Sequence, residues 1–276
     1  MQARAFAKIN LGLVVGPRLP DGKHEIATVL ERVDLHDLVD LDVGQDDGVR
    51  IEGFVEDTLV TRALALFDRA RLVPPRWRVR IEKHIPLSSG LGGGSSDAAT
   101  ALRLANELVA DPLPAAMLHE IATEVGSDVP FFLEAGAKLA TGDGTTLEPV
   151  ELPRSYSVVL ALPLGTAKQS TAAVYSSLPA TGTRASFDAR WRALREALRT
   201  VLEPRELGML PANALVPAPE PTIGGLLHAF GAFRVDVSGA GPTIYGLFEH
   251  AEDARKAQAE LRAHARTWLA QPVPGP

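Results

Sequence analysis

Apolar and polar positions alternate loosely over residues 3–15 and end in Leu11-Gly12-Leu13-Val14-Val15, the period of a β-strand. A turn is expected over Pro17 to Gly22. Residues 38–43 and 48–53 flank Gln45-Asp46-Asp47-Gly48 and predict a hairpin. From Asp57 to Leu72 the period becomes helical, with Leu59, Ala63, Leu66, Phe67 and Ala70 on one face. Trp77 to Glu82 alternates as a strand. Helices are expected over Asp97 to Leu108 and over Leu113 to Val125, the second entered at Pro114. Pro130-Phe131-Phe132 and Ala137 to Ala140 read as buried or extended, and Tyr156 to Leu162 as an apolar strand. A loop over Leu178 to Ala185 leads to an amphipathic helix over Phe187 to Leu202 and a short one over Pro221 to Phe230. Strands at Phe233 to Val237 and Thr243 to Phe248 precede a closing helix, Ala251 to Leu269, and a mobile tail, Gln271 to Pro276. Strands and helices mix without strict βα alternation, so the expected class is α+β, divided near residue 150 into units 1–150 and 151–276.

Composition narrows the function classes. The 276 residues are 46% hydrophobic, enough for a large core, and carry a net charge of −6. An acidic surface argues against nucleic acid and anionic membranes as partners. With no cysteine, disulfides and thiolate metal sites are excluded. The segment Met1 to Lys8 is too short and polar for a signal peptide, and no apolar run approaches membrane length. A cytoplasmic protein is the expectation.

The strongest chemical signal is Pro86-Leu-Ser-Ser-Gly-Leu-Gly-Gly-Gly-Ser-Ser-Asp-Ala-Ala99. Four glycines in five residues, Gly90, Gly92, Gly93 and Gly94, precede Ser95, Ser96 and a helix. Glycine lets a ligand approach the backbone closely, and a helix start presents free N–H groups and a positive dipole end. Together they suit a polyphosphate. A simple capped turn needs one hydroxyl and one or two glycines, not this many. No Lys follows the glycines, so this is not a P-loop, and the spacing is not that of a dinucleotide fingerprint.

Other polar positions are ambiguous by themselves. Lys8 and Asn10 share one face of a strand, as a solvated face would. Asp128 precedes an apolar run and suits a turn or a cap. Ser238-Gly239-Ala240-Gly241-Pro242-Thr243 reads equally as a bend between strands or a binding turn. His24 follows a turn, and the seven histidines are too scattered to suggest a transition-metal site.

Taken together, Ala7-Lys8-Ile9-Asn10-Leu11, the Pro86 to Ala99 block and Ser238 to Thr243 resemble, in order and spacing, three motifs of the GHMP small-molecule kinases. Asp21-Gly22-Lys23-His24-Glu25, the full Gly90 to Ser96 block and Gly126 to Phe132 are most similar to the branch acting on a cytidine diphosphate-linked polyol of non-mevalonate isoprenoid synthesis. The resemblance implies a two-domain fold, with a ribosomal protein S5 domain 2-like N-terminal domain, a ferredoxin-like C-terminal domain and a cleft between them. It implies ATP phosphates bound by Pro86, Gly90, Leu91, Gly92, Gly93, Gly94, Ser95 and Ser96, with Asp128 as catalytic base and Lys8 as the cation beside it. It further implies substrate contacts from Asn10, His24, Tyr175 and Gly239, with His24 at the cytosine. Mg²⁺ is expected with the triphosphate, with Ser96 and Asp128 as candidate ligands, in a monomer or homodimer. Three positions depart from the family pattern: Lys23 replaces a usual Tyr, Thr58 a common Asn, and Ala214 a usual Asp. A kinase for another small alcohol (homoserine-, mevalonate- or sugar-like) and a non-catalytic nucleotide-binding homologue are the alternatives.

Overall fold

Two long antiparallel strands, β1 (Gln2–Arg18) and β2 (His24–Val43), organise the first half of the molecule. The computed structural model describes residues 1–20, 22–44, 48–54, 58–72, 76–166, 174–175, 184–216 and 218–275. Where the chain passes from one strand to the other, Leu19 N–H donates to Lys23 O at 2.7 Å. The strands pair along their whole length, placing Lys8 opposite Arg32 and Asn10 opposite Leu30. From Ala7 to Val14 every residue of β1 is buried, so Lys8 and Asn10 do not form a solvated face. The sequence marks only 38–43 of β2. Glu31 and Arg32 lie buried in its middle and interrupt the alternation that would reveal the rest.

The sheet continues through β3 (Gly48–Glu52), β4 (Arg76–Glu82), β5 (Ala137–Gly142) and β6 (Thr146–Val150), in the order β3-β4-β2-β5-β6 with β1 also on β2. Among the described residues β2 and β3 do not pair as the expected hairpin would, because β4 lies between them; the expected turn residues 45–47 fall outside the described residues. β3 instead runs parallel to β4, with helix α1 (Leu59–Arg71) as the crossover between them. In β4, Trp77, Val79 and Ile81 are buried, which suits it to an interior place better than β3. On α1 the buried stripe is Val60, Ala63, Leu64 and Phe67, while Ala70 is exposed. Helices α2 (Gly93–Leu108), α3 (Ala115–Val125) and α4 (Val129–Leu133) complete the cover of this sheet.

The second half holds an antiparallel sheet of β7 (Ser157–Pro163), β8 (Arg234–Val237), β9 (Ile244–Phe248) and β10 (Ala265–Ala270), in the order β10-β7-β9-β8. This fourth-first-third-second order is ferredoxin-like. Helix α5 (Arg184–Thr200) packs against β1, whereas α6 (Pro221–Ala229) and α7 (Ala251–Leu261) cover the opposite face. The loop expected from Leu178 lies outside the described residues as far as 183. One apolar cluster joins both halves: Ile9 and Leu11 pack with Val158, Leu160, Tyr245 and Leu247.

Two expectations at the C-terminus fail. The closing helix stops at Leu261, and Ala265–Ala270 pairs with β7 instead. Long-range pairing that buries Ala265 and Ala270 outweighs local helix propensity. The tail is not loose: Pro272 bridges to Val33, Val273 N–H donates to Arg32 O at 3.1 Å, and Gly136 N–H donates to Pro274 O at 2.5 Å.

Candidate active site

The glycine block sits where the two halves meet, and its backbone carbonyls explain why three distant motifs converge. Ser89 O accepts from Thr243 N–H at 3.2 Å, Gly90 O from Ser238 Oγ at 2.9 Å, and Leu91 O from Lys8 N–H at 2.9 Å. Three consecutive carbonyls are thus bound to the third and first motifs. Helix α2 starts at Gly93, inside the block, not at Asp97 as expected. Gly92 makes this possible by adopting φ +73°, and a Cβ there would lie 2.9 Å from the Phe132 ring. First-turn N–H groups of a helix lack intrahelical acceptors, so this loop offers donors and a positive dipole end to an anion.

A cleft of about 900 Å³ opens over the loop. Pro86, Gly90, Gly92, Gly93, Gly94 and Ser95 line it, together with Lys8, Asn10, His24, Asp128, Tyr175 and Gly239. Two expected residues do not. Leu91 packs its side chain into the apolar cluster shared by the two halves, and Ser96 is buried beneath the loop.

At the cleft floor, the Lys8 ammonium donates to Asn10 Oδ1 at 2.6 Å and lies 3.7 Å from Asp128 Oδ2. Asn10 is fixed in turn, donating to Thr28 Oγ1 at 2.8 Å, which donates to Gly12 O at 2.7 Å. Lys8 and Asn10 are each 4% exposed, whereas the Asp128 side chain is 45% exposed and open to the cleft. Asp128 occupies the N-cap position of α4, but its carboxylate makes no capping bond. That carboxylate is available to a ligand. Gly239 closes this corner: a Cβ there would lie 3.2 Å from Lys8 Nζ and 3.3 Å from Asn10 Oδ1. Asn213 holds the Gly239 turn, donating to Val237 O at 2.8 Å and Gly239 O at 2.7 Å.

The other end of the cleft is aromatic. His24 and Tyr175 stack at 5.7 Å between centroids with 24° between planes. Burial, then the nearby Arg18, holds the His24 pKa below its ordinary value and favours the neutral ring. Burial, then the Asp128 charge, pushes the Tyr175 hydroxyl up. Lys23 forms an ion pair with Asp143 at 2.7 Å. Burial pushes the Asp143 carboxyl up, but bonds from Lys23 and Thr145 outweigh it and the net shift is downward.

Sequence reasoning missed several residues here. Lys83 lies beside Gly93, ion-paired with Asp37 and with Asp97 at 2.6 Å. Burial would lower its pKa, but the two carboxylates outweigh that and raise it. Thr28 and Lys83 act through partners 14–46 residues away, so no local pattern marks them. Among the described residues, no group of three or more His, Asp or Glu could hold a metal alone. Mg²⁺ is commonly held by one or two carboxylates together with substrate phosphates. Asp128 fits that role at the cleft surface, and Ser96, buried below the loop, fits it less well.

Family models match at residues 58–136 (GHMP kinases N terminal domain) and 185–267 (GHMP kinases C terminal). A 4-diphosphocytidyl-2-C-methyl-D-erythritol kinase of Anaeromyxobacter sp. (strain Fw109-5) is 39% identical, covering 93% of this chain and 85% of that protein. The protein of the same name from Bacillus subtilis (strain 168) is 36% identical, covering 94% and 92%. The crystal structure of a 4-(cytidine 5'-diphospho)-2C-methyl-D-erythritol kinase superposes over 100% of both chains, with TM-score 0.79 and 32% identity. Homoserine kinase from Cytophaga hutchinsonii shares the fold at TM-score 0.74 and 17% identity, covering 98% of this chain and 95% of that one. Motifs, topology and likeness over nearly the full length agree: this chain belongs to the GHMP kinase family of small-molecule phosphotransferases.

Proposed function

We propose that this chain transfers the γ-phosphoryl group of ATP to the 2-hydroxyl of 4-diphosphocytidyl-2-C-methyl-D-erythritol, a step of non-mevalonate isoprenoid precursor synthesis in the cytoplasm. The observation that carries this reading is one cleft joining a phosphate-type loop, a Lys8–Asp128 pair 3.7 Å apart and a stacked His24–Tyr175 pair. The names of the relatives support the same substrate.

In the proposed reaction the loop from Gly90 to Ser95 holds the triphosphate with backbone N–H groups. Pro86 borders the nucleotide. Asp128 accepts the proton of the 2-hydroxyl as its oxygen bonds to the γ-phosphorus and the bond to the ADP oxygen breaks. Lys8 offsets the charge gathering on the transferred group, and Asn10 and Gly239 set where the hydroxyl lies. His24 and Tyr175 face the cytosine, a planar ring suited to their stacked geometry. Asp128 would help hold a Mg²⁺ ion brought with the triphosphate, which would supply further charge neutralisation. The units 1–150 and 151–276 are the proposed domains, since the first sheet ends at Val150 and the second begins at Ser157.

The test is coupled ADP release with Mg-ATP and 4-diphosphocytidyl-2-C-methylerythritol, beside homoserine, mevalonate and galactose. Turnover on the cytidine compound alone, at about 1 s⁻¹ or faster, is expected. ATP binding with silence on that compound overturns the assignment.

A further inference from the structure

The β1–β2 register sets two basic residues, Lys8 and Arg32, directly opposite each other. Opposed residues share a sheet face, and this one faces α4. Lys8 meets the N-terminal end of that helix at Asp128. Arg32, 1% exposed, meets the other end: its guanidinium donates to the carbonyls of Phe131, Glu134 and Gly136 and lies 4.3 Å from the Phe131 ring centroid. A five-residue helix has too few internal bonds to hold its own place. Its two ends are gripped from the same pair of strands.

Burying a guanidinium is costly, and burial pulls its pKa down to about 10 against the opposing charges of Glu31 and Glu134. An apolar side chain would fill the space without that cost, but it would leave three carbonyls without this donor. A cation at a helix C-terminus also complements the dipole. The C-terminal segment covers the same point. Val273 N–H donates to Arg32 O, Pro274 O accepts from Gly136 N–H, and Gly275 lies so close that a Cβ would be 2.8 Å from Arg32 Nη1. Phe132, on the same helix, packs on Gly92 of the glycine loop, so α4 touches both halves of the chemistry.

We infer that Arg32, sealed by residues 272–275, is a positioning residue that fixes the Asp128 carboxylate against Lys8 and thereby sets the phosphoryl-transfer rate. This rests on the role proposed above for Asp128. Displacing a reacting group by about 1 Å costs on the order of a hundredfold in rate.

The experiment compares the full chain with Arg32→Met and with a chain lacking residues 272–276, by ADP release and by amide hydrogen exchange. For Arg32→Met, kcat falls about 10- to 100-fold while KM for ATP stays within about threefold. The truncation lowers kcat by a smaller factor, at least about threefold. In both, exchange accelerates over residues 128–136 and stays unchanged over 93–108. A kcat within about twofold of wild type in either variant overturns the inference. So does exchange that rises evenly across the chain, which marks general destabilisation. Wild type silent on the cytidine compound counts against the proposed substrate alone, and the exchange pattern then decides the positioning role.

Discussion

Replacing Gly239 by alanine tests the reacting corner with a single methyl group. Gly239 has φ +54°, a region that costs a residue with a Cβ about 1–2 kcal/mol. The new carbon would lie 3.2 Å from Lys8 Nζ, 3.3 Å from Asn10 Oδ1 and 3.4 Å from Gly90 O. Contacts this close require neighbours to shift by a few tenths of an ångström. Asn10 has little freedom to do so, being buried and tied to Thr28. Lys8 therefore yields, away from Asn10 and from the space beside Asp128. If about 1 Å of misplacement costs about a hundredfold, this shift alone costs about fourfold in kcat. The methyl also occupies space beside the ammonium where the hydroxyl would approach, so kcat/KM for the acceptor falls further. Stability falls by at least the backbone cost, which by itself lowers Tm by about 2–8 °C in a chain of this length. The assays are steady-state ADP release with each substrate varied, and thermal unfolding. A folded Gly239→Ala protein with kcat/KM within about threefold of wild type would refute the placement of the acceptor hydroxyl against Lys8 and Asn10.

Asp128→Asn removes the proton acceptor and keeps the shape, so kcat drops about 10²- to 10⁴-fold. ATP affinity, measured by fluorescent-analogue displacement, changes little; a kcat near wild type refutes the base role. Tyr175→Ala removes one face of the stacked pair, and KM for the cytidine compound rises roughly 5- to 150-fold, the equivalent of about 1–3 kcal/mol. An equal rise in KM for ATP contradicts the assignment of that end of the cleft. Glu31 is fully buried, and burial raises its carboxyl to about 7 from an ordinary 4.5. Its folded form holds the proton more tightly than its unfolded form, so its contribution is greatest below about pH 4.5 and is lost as pH rises through 7. In urea titrations the stability of wild type relative to Glu31→Gln falls by about 3 kcal/mol between pH 4.5 and 8, and a flat difference shows that Glu31 titrates normally.

What the sequence made legible was chemistry written in consecutive residues. The glycine block declares a phosphate-type loop by its own residue types, whereas Lys8, Asn10 and Asp128 are ambiguous locally and take candidate roles only from the family resemblance; Gly90, Gly92 to Ser95, Lys8, Asn10 and Asp128 all line the cleft. What it hid was everything decided by distant partners. β2 escaped notice because Glu31 and Arg32 occupy interior positions: Arg32 is buried against α4 and the C-terminal segment, and Glu31 is buried near Arg154 and Tyr156. Ala265–Ala270 reads as helix until β7 offers an edge to pair with. The tail has no apolar run, yet backbone bonds to Arg32 and Gly136 fix it. The hairpin reading failed because nearness in sequence suggested β2–β3 pairing, whereas the helix between β3 and β4 sets a parallel crossover.

The three departures from the family pattern gain meaning from where they fall. Lys23 brings an ammonium to the mouth of the cleft, which by charge alone would favour an anionic acceptor. Asp143 answers that charge at 2.7 Å, and its own pKa is held low by the contact. The pair adds no net charge, so the electrostatic case for an acidic acceptor weakens. Thr58 is the N-cap position of α1 at the cleft wall, makes no capping bond from its side chain, and precedes Leu59, which lies against Gly94 of the loop. Ala214 donates its N–H to Leu13 O, while the preceding Asn213 carries the bonds that shape the Gly239 turn. All three changes lie away from the Lys8–Asn10–Thr28 chain of hydrogen bonds and from the loop carbonyls that bind the motifs together. Lys23 and Thr58 line the cleft away from the reacting corner and Ala214 does not line it, so these changes leave the geometry of transfer to the Lys8–Asn10–Thr28 interior and act, where they act, on affinity.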